Sequence, residues 1–136
     1  MTTILQKDGE ILDNKISSIS DFFQLMKPRV MSLVIFTALI GYFCGVFSTE
    51  TILNPYLSMI GILAIALGAG SSGVLNQWYD REVDSMMERT KNRPIPKGKI
   101  EPSDALAFGL IGSILSIVIL GLCINWLAGF LLFFTI

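Results

Sequence analysis

Histidine is absent from the 136 residues, and charge is scarce, with 15% of positions Asp, Glu, Lys or Arg. The first absence removes histidine-held metals and histidine general bases from this stretch of chain. Cysteine occurs twice, and Cys44 and Cys123 both fall inside apolar runs. Neither reads as half of a disulfide or of a zinc site. The beginning lacks a basic start followed by an early apolar core, since Met1 to Ser20 mixes Lys7 and Lys15 with Asp8, Glu10 and Asp13. Residues 1–20 are therefore expected to be a disordered tail rather than a secretory signal. With a net charge of −1, no nucleic-acid partner is expected. Whatever this chain meets, it meets through local charge.

Hydrocarbon fills most of the rest. Hydrophobic residues make up 52% of the chain, and the mean hydropathy is +0.65. Val30 to Phe47, Tyr56 to Leu75 and Ala105 to Cys123 contain no charged residue. Each is close to the roughly 20 residues a helix needs to cross a hydrocarbon core of ~30 Å. The expected fold class is all-α, a polytopic transmembrane helix bundle in the lipid bilayer, with spans at about 30–47, 56–75 and 105–123. Residues 126–136 begin a fourth apolar run that reaches only about 16 Å as a helix. A chain end inside lipid leaves backbone polar groups without partners. Residues 21–136 are thus expected to be the N-terminal part of a longer membrane domain.

Lys and Arg are unevenly placed. The loop Ser48 to Pro55 carries Glu50 and no base, whereas the 76–104 loop carries Arg81, Arg89, Lys91, Arg93, Lys97 and Lys99. Lys27 and Arg29 flank the first span. By the positive-inside rule, the N-terminus and the 76–104 loop face the cytoplasm, or the matrix of an organelle. Asp21, Phe22, Phe23, Leu25 and Met26 suggest a short interfacial helix. Gly41-x-x-x-Gly45 and the small run Gly68 to Gly73 permit close helix approach. Pro94, Pro96 and Gly98 mark turns, and Pro102-Ser103-Asp104 marks the next helix start.

Ten of the 21 charged residues lie between Asn76 and Ile100, acids first and bases after. The second span is expected to run on without a break through Asn76, Asp80 and Asp84. Spaced four apart, these turn only ~40° per step and share one face. Two carboxylates and a carboxamide are hard oxygen ligands of the type that suits Mg²⁺. Arg89, Lys91 and Arg93 follow, and guanidinium forks suit phosphate oxygens. Together they fit a Mg²⁺–diphosphate, and at a bilayer edge an isoprenyl diphosphate. Charged loop residues are equally expected from topology alone, and Arg81, Glu82, Lys97, Lys99 and Glu101 are assigned to such a solvated face. For Asn76, Asp80 and Asp84, the residues alone leave the two readings open.

Asn76-x-x-x-Asp80-x-x-x-Asp84 resembles the first acidic motif of the UbiA superfamily of intramembrane prenyltransferases. The longer strings, Asn76 to Asp84 with Met87 to Pro94 and Lys27 to Leu39, are similar to its haem-modifying branch. The resemblance implies a bundle of about nine helices with two acidic motifs facing a cytoplasmic-side cavity. It implies farnesyl diphosphate and haem B as substrates and haem O as product, in the biogenesis of haem A and terminal oxidases. It also points to contact with downstream haem A synthesis or terminal oxidase assembly proteins. By the same resemblance, Asn76, Asp80 and Asp84 hold Mg²⁺ and the diphosphate. Arg89 and Arg93 neutralise the leaving group, Lys91 is a further candidate, and Lys27 and Arg29, facing the cavity mouth, are also counted among the diphosphate-binding residues.

Two departures stand out. Gln77 occupies the place where many members carry Asp, which favours the haem branch over quinone-type branches. The second acidic motif is not among these residues, so the 136 residues alone are expected to be inactive. A prenyltransferase with a phenolic or chlorin acceptor, and a non-enzymatic assembly or transport fragment, are the alternatives. The charge asymmetry generates a direct test. In a version lacking Cys44 and Cys123, a cysteine placed at Thr49 should react with an impermeant maleimide only from the side opposite the 76–104 loop. Labelling from the same side as that loop reverses the topology.

Overall fold

The computed structural model describes residues 19–49 and 54–136. The tail expected over 1–18, and most of the loop that carries Glu50, lie outside the described residues. Six helices follow in order: α1 (Ile19–Leu25), α2 (Pro28–Thr49), α3 (Pro55–Tyr79), α4 (Arg81–Met86), α5 (Pro102–Cys123) and α6 (Trp126–Thr135). No strand occurs among the described residues. The chain is all-α, as its composition predicts. Ile19 and Ser20, placed in the expected tail of residues 1–20, are helical.

Three helices are long and apolar enough to span a membrane. Each extends a few residues beyond its charge-free core, and each begins at a proline. Asn54 caps α3 by accepting from the Tyr56 N–H at 3.1 Å, and Pro55 sits where a missing N–H does no harm. Pro102 opens α5 in the same way, and Asn125 caps α6 by accepting from the Leu127 N–H at 3.0 Å.

The centre of the bundle is the contact between α3 and α5, and small residues make it. Gly61, Ala64, Gly68 and Ser71 on α3, and Gly109, Gly112, Ser113 and Ser116 on α5, are buried. A Cβ at Gly68 would sit 3.0 Å from Ser116 Oγ, and one at Gly112 would collide with Ser71 Oγ. In lipid there is little hydrophobic drive between helices, so close backbone packing has to supply the attraction. Ser113 and Ser116 return their hydroxyls to carbonyls of their own helix, at 2.7 and 2.8 Å. Ser71 Oγ finds no partner among the described residues. Helix α6 folds back against α5, with the Trp126 ring over Gly121. By contrast, the span in α2 is unburied, and Phe36, Phe43 and Phe47 face outward. Among the described residues, no close helix approach is made over Gly41 or Gly45, since a Cβ at either meets nothing within 4 Å.

A second core lies beneath the charged loop, where Leu25, Val74, Ile95, Ile100 and Ala105 are buried together. The short helix suggested for Asp21 to Met26 is present as α1, and one side of it packs inward. Its Leu25 is fully buried, and its Phe22 ring packs on Phe108 at 5.1 Å between centroids. Asp21 is buried and receives a hydrogen bond from Lys99 Nζ at 3.3 Å, so Lys99 anchors the loop while its side chain stays half exposed. Arg81 lies over the Trp78 ring and donates to the Trp78 carbonyl at 2.8 Å.

The α3–α5 contact predicts a compensating pair. Gly112→Ala in the intact protein should lower stability by about 1–3 kcal/mol through overpacking, despite alanine's better helix propensity. Ser71→Ala should be neutral alone, since it removes an unpartnered hydroxyl, and should restore most of the loss. Helical ellipticity through a denaturing-detergent titration gives the comparison. Failure of Ser71→Ala to rescue would refute the packing account.

Candidate functional site

The last turn of α3 delivers Asn76, Gln77, Trp78 and Tyr79 to the end of the span. The helix does not then run on without interruption. Asp80 adopts φ −81° and ψ 3°, and α4 starts after it. The break is slight, because the Asp80 N–H still donates to the Asn76 carbonyl at 3.0 Å and the Asp84 N–H to the Asp80 carbonyl at 2.8 Å. The four-residue ladder crosses the junction. Asn76 Nδ2 donates to Asp80 Oδ2 at 3.1 Å, so these two side chains do share a face.

Asp84 lies one turn further and is only 4% exposed. A carboxylate so buried needs a charged partner or several donors. Arg93 Nη1 donates to its Oδ2 at 2.5 Å. That bond requires the loop after α4 to turn back, and local hydrogen bonds show how it does. Met87 leaves the helix in extended conformation, and its carbonyl accepts from the Thr90 and Lys91 N–H groups at 3.1 and 2.9 Å. The buried Thr90 hydroxyl donates to the Asp84 carbonyl at 3.0 Å. Gly98, at φ +71°, supplies the left-handed turn that glycine adopts most readily. Ile95 and Ile100 then drop into the core beside Leu25.

Beside Arg93 opens a groove of about 570 Å³ lined by Lys27, Arg29, Arg89 and Arg93, with Gln24, Gln77 and Asn92 among them. The two bases flanking the first span and two of the loop bases therefore meet. Lys91 does not join them; it pairs with Glu88 at 2.7 Å, both side chains exposed. Asn76 and Asp80 do not line the groove, and the Asp84–Arg93 pair is the link between acid stripe and basic groove. Gln24, Thr90 and Asn92 escaped the sequence reading, which took Gln77 as a mark of the branch and not as a structural residue. Gln77 is buried and donates to the Leu25 carbonyl at 2.6 Å, satisfying an acceptor that the end of α1 leaves open. Its position one residue past Asn76, about 100° round the helix, was the available signal that it faces the bundle.

The donor set bears on a cation. No group of three or more His, Cys, Asp or Glu converges among the described residues. Asn76, Asp80 and Asp84 nevertheless offer hard oxygens on one side of the helix junction. Mg²⁺ is commonly held by one or two carboxylates with substrate phosphates and waters completing its shell. The residues present fit that pattern.

A sequence model of the UbiA prenyltransferase family matches residues 34–136. Curated relatives are similar over nearly the whole chain. A protoheme IX farnesyltransferase of Rhizobium johnstonii is 54% identical over 133 residues, covering 98% of this chain and 40% of the relative. One of Sinorhizobium fredii is 56% identical over 120 residues, 88% of this chain and 36% of the relative. One of Bartonella tribocorum is 52% identical over 120 residues, 88% of this chain and 37% of the relative. The chain spans about 40% of the length of the relatives most fully matched. No solved structure matches it.

The buried pair makes a prediction about stability. Arg93→Met strands the Asp84 carboxylate and should cost about 1–3 kcal/mol. Adding Asp84→Asn should recover part of that loss, while Lys91→Met should stay within about 0.5 kcal/mol of the parent. Equilibrium unfolding of the intact protein measures all three. Additive losses for the two members of the pair would exclude the coupling.

Proposed function

This chain belongs to the UbiA prenyltransferase family, and we propose that it is part of an enzyme that farnesylates haem. The reaction is transfer of the farnesyl group of farnesyl diphosphate to a vinyl group of haem B, giving haem O. The names of the relatives support that choice over a phenolic or chlorin acceptor. The observation that carries it is the Asp84–Arg93 pair, which joins hard-oxygen ligands to a basic groove at the end of a membrane-spanning helix. A charged diphosphate head needs both, and a farnesyl tail needs the adjoining hydrocarbon. Three apolar helices make this a multi-pass membrane segment. We place the groove on the cytoplasmic side of a bacterial membrane, or the matrix side of a mitochondrial one. There it would hand product to haem A synthesis or terminal oxidase assembly proteins.

Asn76, Asp80 and Asp84 would hold Mg²⁺, and Arg89 and Arg93 would take the diphosphate oxygens. Mg²⁺, when bound, supplies positive charge to the departing diphosphate. As the allylic C–O bond breaks, its electron pair goes to the diphosphate oxygen, and the preorganised guanidinium groups stabilise that gathering charge. Arg93 already sits beside Asp84, so little reorganisation is needed. Apolar side chains keep water from the farnesyl cation until the haem vinyl carbon forms the new C–C bond. Water then adds to the porphyrin-side carbon and loses a proton, leaving a hydroxyethylfarnesyl group. No side chain acts as a nucleophile.

In the intact enzyme, Asp80→Asn and Asp84→Asn should each lower haem O formation by at least about 10²-fold. Asp80 is the cleaner test because it lies outside the buried pair. Arg93→Ala should lower turnover, and the exposed Lys97→Ala should be nearly silent. Haems extracted from membranes, normalised to the amount of inserted protein, give the answer. Parental haem O production by the Asp80→Asn variant would remove the site assignment.

A further inference from the structure

The groove draws its bases from two separate segments of the chain. Arg93 is matched by Asp84, but Lys27, Arg29 and Arg89 make no salt bridge among the described residues. The four bases come from two separate walls. Arg89 and Arg93 stand on the loop after α4, which is the wall the acid stripe reaches. Lys27 and Arg29 stand on the corner between α1 and α2.

That corner is built with care. Lys27 has φ 52° and is the non-glycine residue with positive φ among the described residues. A left-handed conformation is unfavourable for a side chain with a Cβ, and glycine would adopt it freely. Such strain tends to persist where a side chain has a task. The corner is also fixed from both sides. Gln77 holds the Leu25 carbonyl just before it. The Lys27 carbonyl accepts from the Val30 and Met31 N–H groups, at 2.8 and 3.2 Å, as α2 begins. Pro28 restricts the backbone between the two bases. A rigid corner thus presents an ammonium and a guanidinium to the groove, whose lining also includes Val30 and Pro94.

We propose that Lys27 and Arg29 receive the two propionate carboxylates of the haem acceptor. The assignment rests on the haem reading above and deepens it. Haem B is a flat apolar disc with both carboxylates along one edge and its vinyl groups away from that edge. An Arg fork and a Lys point charge suit two carboxylates on short flexible arms. Seating the propionates on the α1–α2 corner turns the vinyl side toward the loop wall, where the diphosphate departs. The two substrates are then told apart by wall, each pair of bases facing a different anion.

The test compares haem B with its dimethyl ester, which keeps the disc and vinyl groups but has no carboxylate charge. Both are titrated by visible absorbance into the detergent-purified intact protein, without farnesyl diphosphate. The parent should bind the diacid at least about tenfold more tightly than the diester. In Lys27→Met, Lys27→Gly and Arg29→Met variants that difference should shrink, while KM for farnesyl diphosphate changes little. Lys27→Gly eases the backbone as it removes the amino group, so its loss of discrimination does not arise from a collapsed corner. Equal binding of diacid and diester by the parent, or undiminished discrimination in the variants, overturns the proposal. Haem O production with no effect of esterification sinks the propionate site alone. Charge-dependent haem binding without haem O production sinks the transfer reading and leaves the site standing.

Discussion

A carboxylate that is 4% exposed at the end of a membrane-spanning helix cannot be left alone, and the Arg93 guanidinium that meets Asp84 organises everything around it. Taking both groups from water is costly, and their attraction offsets that penalty only when geometry and further hydrogen bonds are favourable. The loop therefore has one acceptable path. It leaves α4 at Met87, returns Thr90 to the Asp84 carbonyl and then places Arg93 on the carboxylate. Downstream, Lys99 reaches Asp21 and Ile100 packs on Leu25's side of the core. Buried ion pairs are weak devices for stability. This one is better understood as a way to hold a charged loop in one position over a groove.

The groove is only as well placed as the helix beneath it. Helix α3 is squeezed against α5 by glycine and serine contacts, whereas α2 presents large apolar side chains outward. Side chains near the end of a tightly packed helix are held more accurately than side chains on a free loop. The same helix also fixes α1 through Gln77 and the Leu25 carbonyl. Acid stripe, basic loop and the Lys27–Arg29 corner are therefore all referenced to α3.

The parts of this arrangement legible in the sequence are those governed by a period or a length. The hydrocarbon thickness dictates charge-free runs of about 20 residues, and so three spans could be placed to within a few residues. Helical periodicity put Asn76 and Asp80 on one side, where they touch. Pairing between distant residues was not legible. Asp21 and Lys99 are 78 positions apart, and nothing in local pattern selects one loop lysine over another. Lys91 was grouped with Arg89 and Arg93 by proximity, yet it sits three residues from Glu88 and pairs there. The inward turn of α1 was hidden because its Leu25 and Asp21 look equally suited to an interface. Burial of that acid depends on a lysine supplied by the far end of the loop.

The break at Asp80 has an electrostatic reason. The C-terminal end of a long helix carries partial negative charge from carbonyls that lack intrahelical partners. Placing Asp80 and Asp84 there as a continuation of α3 would add like charge to like. Ending α3 at Tyr79 and starting α4 at Arg81 changes the setting, because Glu82 and Asp84 then occupy a first turn. Negative side chains are favoured at that end of a helix, although α4, at six residues, contributes little dipole. Asp80 remains at the seam, at the carbonyl end of a 25-residue helix, where its carboxylate accepts from the Asn76 amide. The seam concentrates negative potential around Asp80. A divalent cation relieves that repulsion more effectively than a side-chain ammonium, since it carries twice the charge in a smaller radius. On the proposed reading, the order of charge along the chain follows from one requirement: acids at the helix end would gather a cation, and bases on the returning loop would gather the anion that accompanies it.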